Sequence, residues 1–449
     1  MTDNFSLYTM TRFINIRQAR RRGQLLCKSV STSGSTKPHI LLQQDCIPSY
    51  RKALFEKLCA DQRVNITIVA DDRSDAPFLR VLPLTTAATA HRVARVYSIR
   101  LPWVSSLSWQ PQAITVMLRE RPDIVVTQGS PYVLTAWALL LLGRLFGIPV
   151  LLWTHGLLGD DSGMKWIVRK SMYRLAAGLL LYGDHARKLL VEKGFPQDKL
   201  SVLYNSLDYD WQKSVAAAIS EDDCSRYREA LGVRSSERMV VFTGRLEPVK
   251  RLPLLVEAVA ELAQRGHRVH LVLIGEGTER PALERQAGRL AVNNLIHFVG
   301  ELYEERDVGL ALSASDLAVI PSGAGLSVMH ALAYGTPVLL HDRPDQHFPE
   351  WEAVVEGVTG FFYRCNDVKD MADKIARALF PSPRKTAMAP ACRELIEDRY
   401  NVRKQMQAML DAVERTLRKA RGSDFPEDMA SNRSEVSQQC FSTKRNQLL

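Results

Sequence analysis

The sequence predicts an α/β protein built from two doubly wound, Rossmann-like domains that face each other across a cleft. Three observations carry this. Short apolar runs alternate with helical patterns, the signature of parallel strands wrapped by helices. The alternation stops once, near Asp208 to Ser236, and then restarts. The chain of 449 residues, 46% hydrophobic and 24% charged, has ordinary globular composition but is too long for one typical core.

The expected organisation is a disordered basic extension over 1–37, an N-terminal domain over 38–208, a C-terminal domain over 209–391, a helix over 392–420 returning to the N-terminal domain, and a disordered tail over 421–449. The extension is polar, ends in the Ser/Thr-rich stretch Ser29 to Thr36 and offers nothing to bury. Arg12, Arg17 and Arg20 to Arg22 interrupt any apolar run of the kind a signal peptide needs. Order begins at the strand His39 to Leu42, followed by the loop Ile47 to Arg51 and a helix carrying Leu54, Phe55 and Leu58. Val64 to Ala70, Ile124 to Thr127, Val150 to Trp153 and Gly178 to Tyr182 continue the strands. Val133 to Trp153 is the longest apolar region; Gly143-Arg144 and Gly147-Ile148-Pro149 divide it into a core helix and a strand, not a membrane span. Trp103 to Gln110, with Trp109, fits no strand or helix and is expected to be a lid or an acceptor-side loop.

The second set of strands runs Met239 to Phe242, Val269 to Ile274, Ile296 to Val299, Leu317 to Ile320 and Val338 to Leu340. Helical pattern fills Met371 to Ala420, broken by Pro381 and Pro383, which frees a last helix around Arg393 to Lys419 to pack across the first domain. The cleft between the domains is the expected site.

A formal net charge of +10 favours an anionic partner: a nucleotide, a nucleic acid or a lipid surface. Basic residues are dispersed and lack interleaved aromatics, so nucleic acid is set aside. Seven cysteines are scattered singly, with no Cys-x-x-Cys and no Cys/His cluster at zinc spacing, which points to a reducing, cytoplasmic setting without a structural metal. Lys165 to Tyr173 places Trp166, Ile167 and Met172 among cations. It reads either as a helix lying on the inner face of an anionic membrane or as an ordinary solvated helix.

The chemistry collects at strand ends. Phe242 to Arg251 ends a strand in a glycine turn at Gly244, with Arg245 and Lys250 able to hold a diphosphate from the crevice. Gly275-Glu276-Gly277 and Val299-Gly300-Glu301 close two more strands. Pro321 to Gly325 forms a strand-to-helix glycine loop, where Gly323 and Gly325 allow close backbone approach beside open helix amides, before Leu326, Met329 and Leu332 continue at helical spacing. In the first domain, Trp153-Thr154-His155-Gly156 ends a strand at the cleft. Pro48, Tyr50 and Arg51 follow the first strand; Arg51 could meet a phosphate or simply cap the sheet edge.

The set Gly244-Arg245-Leu246 with Lys250, Gly275-Glu276-Gly277, and Pro321-Ser322 through Ala331-Leu332-Ala333-Tyr334-Gly335-Thr336-Pro337-Val338 resembles the GT-B glycosyltransferases of family 4, a retaining, nucleotide-sugar-dependent group. The resemblance spans about His39 to Lys419. It implies that Arg245 and Lys250 hold the donor diphosphate and that His155 lies beside the donor sugar. Gly244, Gly275, Glu276, Val299, Ser322, Gly323, Gly325, Leu326 and His330 would complete the donor site. Pro48, Tyr50 and Arg51 would lie on the acceptor side. The family usually carries two glutamates eight positions apart in its central motif; Ser322 and His330 stand there instead. A bacterial branch with Gly-Leu-x-x-x-His, and with segments like His341-Asp342 and Pro349-Glu350-Trp351-Glu352, shares that departure. The resemblance implies a nucleotide-sugar donor, a saccharide or lipid-linked acceptor in cell-surface polysaccharide synthesis, and no cofactor. With no Asp-x-Asp at an obvious strand end, metal-independent transfer is expected. A catalytically silent nucleotide-sugar-binding subunit and a GT-B-fold nucleotide-sugar epimerase are the competing readings.

Overall fold

The computed structural model describes residues 37–73, 81, 91–101, 104–159 and 161–422. The expected extension before Lys37, the expected tail beyond Gly422, and Trp103 lie outside the described residues. The first lobe contains the strands β1 (His39–Cys46), β2 (Asn65–Asp71), β3 (His91–Val93), β4 (Tyr97–Leu101), β5 (Val104–Trp109), β6 (Ile124–Gln128), β7 (Val150–Thr154), β8 (Gly178–Leu181) and β9 (Leu200–Val202). Its helices are α1 (Lys52–Ala60), α2 (Pro111–Glu120), α3 (Leu134–Phe146), α4 (Gly163–Leu175) and α5 (Asp184–Glu192). Seven strands form a sheet in the order β3-β2-β1-β6-β7-β8-β9, with every pairing parallel.

The period-2 pattern of β1 explains how this sheet is covered. Ile40 and Leu42 face one core with Leu54, Phe55 and Leu58 of α1, while Leu41 faces the other with Met117, Leu139 and Leu140.

The second lobe starts with α6 (Tyr209–Ala217) and α7 (Glu221–Ala230). It continues through β10 (Arg238–Thr243), α8 (Leu252–Gln264), β11 (Val269–Ile274), α9 (Arg280–Arg289), β12 (Ile296–Gly300), α10 (Glu305–Ala314), β13 (Leu317–Val319) and α11 (Leu326–Ala333). β14 (Val338–His341), β15 (Gly360–Tyr363), α12 (Val368–Leu379) and α13 (Lys385–Asp398) complete it. Its sheet runs β12-β11-β10-β13-β14-β15, all parallel, a doubly wound order that reverses between β10 and β13. In the first sheet the order reverses between β1 and β6. Both reversals open a crevice at the carboxyl ends of the strands.

Three readings of the sequence need correction. Val104 to Trp109 is a strand, not a loop: β5 pairs antiparallel with β4, and Ser108 N donates to Tyr132 O at 2.9 Å. Gln110 anchors it, fully buried, accepting from Gln43 Nε2 at 2.7 Å and donating to Ala94 O at 2.9 Å. β3 and β15 add an edge strand to each sheet that the apolar runs did not reveal. The last helix is two: α13 packs Cys392, Leu395 and Ile396 into the second lobe, and α14 (Val402–Ala420) starts afresh.

Asn401 makes that break. Its side chain accepts from Lys404 N at 3.0 Å as the N-cap of α14, while its Nδ2 donates back to Ile396 O of α13 at 3.0 Å. The returning helix therefore begins at Val402, not at 392. It seats Val402, Met409, Leu410, Val413 and Leu417 in the core around Ile40, Leu42 and Phe55. Met409→Ala is expected to destabilise the chain by ~2–5 kcal/mol in urea unfolding. A loss below ~0.5 kcal/mol, typical of surface positions, would mean that α14 is not seated there.

Candidate active site between the lobes

At the carboxyl edge of the second sheet, three loops touch backbone to backbone. Gly244 N donates to Ile274 O at 3.0 Å, Leu246 N to Glu276 O at 2.9 Å, and Gly275 N to Gly300 O at 2.8 Å. A Cβ on Gly275 would lie 2.1 Å from Gly244 O, and its φ of +131° also demands glycine. After β10 the chain turns through Pro248–Lys250, and Lys250 Nζ donates to Gly323 O at 2.7 Å. Gly323 adopts φ +59° in the loop after β13, where its carbonyl receives this cation. Burial lowers the Lys250 pKa, and the charge of Arg245 lowers it further. One cation, Lys250, therefore meets the glycine loop at the strand-order reversal, with Arg245 near enough for its charge to be felt.

The glycine loop is fastened from behind. Ala324 N donates to His347 Nδ1 at 3.2 Å, so His347 Nε2 is the protonated nitrogen and donates to His341 O at 3.1 Å. Phe348 N donates to Ala324 O at 2.8 Å. Burial, then the neighbouring His341, hold His347 down to about 4, so it stays neutral.

Opposite, the first sheet's own reversal carries a cavity of about 320 Å³ lined by Pro48, Tyr50, Arg51, Trp153, His155 and Tyr182, among others. His155 follows β7, in a turn braced by Arg169 Nη1 donating to Gly156 O at 3.2 Å. Its ring opens onto the cleft, 4.6 Å from Tyr182 and 6.2 Å from Phe348 of the other lobe. Crowding by the cavity walls, then the charges of Arg51 and Arg169, lower it to about 4. At neutral pH it is an imidazole, able to donate or accept a hydrogen bond but carrying no charge.

Residues 347–352 join the lobes. Glu350 Oε1 accepts from Asn205 Nδ2 at 2.7 Å. Glu352 accepts from the first N–H groups of α5, Asp184 N at 2.8 Å and His185 N at 3.0 Å. A carboxylate from one lobe thus caps a helix of the other.

Of the residues singled out in the sequence, Gly244, Arg245, Lys250, Gly275, Ser322, Gly323, Gly325 and Leu326 gather at the second sheet's carboxyl edge, with Val299 at the end of β12. Pro48, Tyr50, Arg51 and His155 gather at the first. Two are turned aside. Glu276 pairs with Arg280 of α9. His330 Nε2 meets Glu305 Oε1 at 2.8 Å, and the Tyr334 hydroxyl donates to the same oxygen at 2.8 Å, leaving only Nδ1 of His330 for a ligand. Burial alone would raise the Glu305 pKa, but these hydrogen bonds hold it below the usual value. Trp166 packs on Phe195 and Met172 is buried, so α4 exposes Met164, Ile167 and Val168 instead. Sequence reading missed the roles of Tyr182, His347, Phe348, Glu305 and Glu352. The only signal was the acidic pair within Pro349 to Glu352.

Residues 54–211 match the family model described as Glycosyltransferase Family 4, and residues 223–407 match Glycosyl transferases group 1. The chain belongs to the GT-B glycosyltransferases. An uncharacterized glycosyltransferase of Methanocaldococcus jannaschii is 32% identical over 148 residues, covering 32% of this chain and 37% of that protein. A D-inositol 3-phosphate glycosyltransferase of Nocardia farcinica is 31% identical over 206 residues, covering 44% of this chain and 43% of its own length. Matches to these two relatives thus span less than half of either. Among solved structures, Anabaena HepE in complex with UDP superposes with a TM-score of 0.64 at 18% identity, covering 84% of this chain and 99% of that one. At that identity the likeness establishes the fold.

In this GT-B chain the contact between Glu352 and α5 is sensitive to pH. Burial, opposed by the two N–H donors and reinforced by Asp184, raises Glu352 from 4.5 to about 7. The unfolded chain gives up this proton more readily than the folded one. The stability present below about pH 4.5 is therefore lost as pH rises through about 7. Glu352→Gln, always neutral, is expected to flatten that fall by on the order of 1–2 kcal/mol, allowing for partial solvent screening. Urea unfolding at the two ends of this range checks it, and identical pH slopes in both proteins would refute it.

Proposed function

We propose that this chain is a retaining, metal-independent transferase that moves a sugar from a nucleotide-sugar donor to a saccharide or lipid-linked acceptor in cell-surface polysaccharide or glycoconjugate synthesis. The observation that carries the reading is Lys250, held on the Gly323 carbonyl beside Arg245 at the second sheet's strand reversal and facing the lobe that carries His155. A diphosphate fits that corner: two cations, a glycine loop and the start of α11 supply charge and N–H donors together. HepE was solved with UDP, which supports a nucleotide ligand for a chain of this fold.

In the proposed reaction the acceptor hydroxyl attacks from the face that the diphosphate leaves, and the departing phosphate oxygen takes its proton. Arg245 and Lys250 stabilise the charge that develops on the diphosphate, so the step asks for position and electrostatics more than for a protein base. Neutral His155 would hydrogen-bond the donor sugar. Ser322 and His330 provide no carboxylate to the donor, which is the observation favouring a silent nucleotide-sugar-binding subunit as the second reading.

Thermal melting with a panel of nucleoside diphosphates and nucleotide sugars tests the donor site. A ligand at a hundredfold over its Kd should add about 2.7 kcal/mol, and Arg245→Ala should abolish the gain. Lys250→Ala is expected to lower turnover of the preferred donor by about 10²–10³-fold, read as nucleotide release in the presence of an acceptor. No stabilisation by any nucleotide would sink the donor reading. Binding without transfer to any acceptor would favour the silent subunit.

A peripheral position on the inner face of the cell membrane belongs to the same proposal. No helix among the described residues is long and apolar enough to cross a membrane. Met164 and Ile167 are 72% and 56% exposed on α4, which also carries Lys165, Lys170 and Arg174; Leu145 and Phe146 are 68% and 56% exposed on α3. Apolar side chains among cations suit an anionic lipid surface. Ile167→Asp is expected to reduce flotation with phosphatidylglycerol vesicles severalfold; flotation equal to the unaltered chain would count against the contact.

A further inference from the structure

We propose that the first-lobe cavity is built for a phosphate group on the acceptor, held by Arg51 and Trp153. This rests on the reading that the first lobe takes the acceptor, and it adds the chemical class of that acceptor. Arg51 is only partly exposed. Its guanidinium carbon lies 4.5 Å from the Trp153 ring centroid and 5.6 Å from that of Tyr182, whose hydroxyl accepts from Nη2. All three residues line the cavity.

The cation has no ionic partner. Among the described residues no carboxylate forms a salt bridge with Arg51, and its Nε is buried with no hydrogen-bond partner. Trp153 Nε1 is buried and unpartnered as well. Glu350, which feels the charge of Arg51, accepts from Asn205 through Oε1, and burial raises its pKa so that its charged form is disfavoured. Burying a cation without a counter-charge is costly, by several kcal/mol after relaxation, and an unmade hydrogen bond adds to it. A sheet edge could be capped by a neutral side chain without either penalty. The arrangement becomes favourable once an anion fills the cavity.

The donor geometry favours phosphate over carboxylate. Part of the guanidinium fork is occupied by Tyr182, so a carboxylate would meet an incomplete fork. Tyr50 engages the guanidinium as well, and the donors left without a partner include two single N–H groups on separate residues, Arg51 Nε and Trp153 Nε1, both shielded from solvent in the cavity wall. An anion with three terminal oxygens can answer both and keep one oxygen for solvent. α1 starts at the residue after Arg51 and has no side-chain cap, so its positive end favours the same charge.

Calorimetric titration of the full chain, with the nucleotide site first saturated by UDP, tests this with glucose 6-phosphate, inorganic phosphate and glucose. Glucose 6-phosphate and inorganic phosphate should bind, and glucose should bind at least tenfold more weakly than its phosphate. Arg51→Gln should remove that preference, and Trp153→Phe, which keeps the aromatic face but lacks the donor, should reduce it. Thermal melting of each variant separates lost binding from lost folding. A lipid head group offers the same chemistry as a sugar phosphate. Flotation with phosphatidylcholine vesicles containing phosphatidylinositol phosphate, lost in Arg51→Gln, would assign the group to a lipid; titration without flotation would assign it to a soluble acceptor. Absence of any Arg51-dependent binding to sugar phosphate, phosphate or vesicle overturns the proposal, as does a preference that survives Arg51→Gln. Failure of UDP to bind would tell against the donor reading alone, because the Arg51 comparison can be made without it.

Discussion

Backbone lying directly on backbone at the carboxyl edge of the second sheet is the constraint on which the rest of the site depends. With the carbonyl of Gly244 where the Cβ of any other residue at 275 would stand, the loops after β10, β11 and β12 form one layer that side chains cannot separate. That layer fixes where β10 releases the chain, and so where Pro248–Lys250 begins. Lys250 then spans the strand reversal to Gly323, tying the cation-bearing loop to the glycine loop. Charge is placed here by backbone geometry, which is stiffer than any pair of long side chains could be.

The second constraint lies in the short segment after β14. His347 and Phe348 fasten the glycine loop, and Glu350 and Glu352 then reach the first lobe. One run of six residues therefore touches the glycine loop, the His155 side of the cleft and the N-terminus of α5. Because Glu352 holds two N–H groups in a partly buried place, the strength of this tie follows its protonation, linking the geometry of the cleft to pH through a single carboxyl group.

Most of the fold was legible because it rests on local patterns: apolar strands of four or more residues, glycine turns at their ends, and helices with one apolar face. What escaped depends on partners far along the chain. β3 has only three residues, and β15 is Gly-Phe-Phe-Tyr, whose glycine is required because a Cβ at 360 would lie 2.0 Å from Val338 O. A glycine weakens the strand signal in the very place where sheet packing demands it. Gln110 looked like loop polarity because its partner, Gln43, is on another strand. The site divides the same way. Arg245, Lys250 and His155 stand at strand ends, which sequence can place. That Arg51 lies over Trp153 and donates to Tyr182, and that His330 turns to Glu305, depends on side chains about 25 to 130 residues distant.

The charges placed around the glycine loop bear on the absence of a carboxylate at 322 and at 330. Arg245 and Lys250 stand at the carboxyl edge of one sheet and Arg51 at that of the other, and His155, which touches Phe348 of the second lobe, is neutral. Glu350, the buried carboxyl group that feels the charge of Arg51, is also disfavoured in its charged form. A glutamate at 322 would stand in the loop that Lys250 already grips, and a carboxylate there would compete with the Gly323 carbonyl for the ammonium. Serine leaves that charge available. At 330 the histidine directs its Nε2 to Glu305, so a carboxylate is still present one side chain further out, shared with Tyr334. Negative charge therefore lies outward from the glycine loop, which suits the anionic groups proposed for the two lobes.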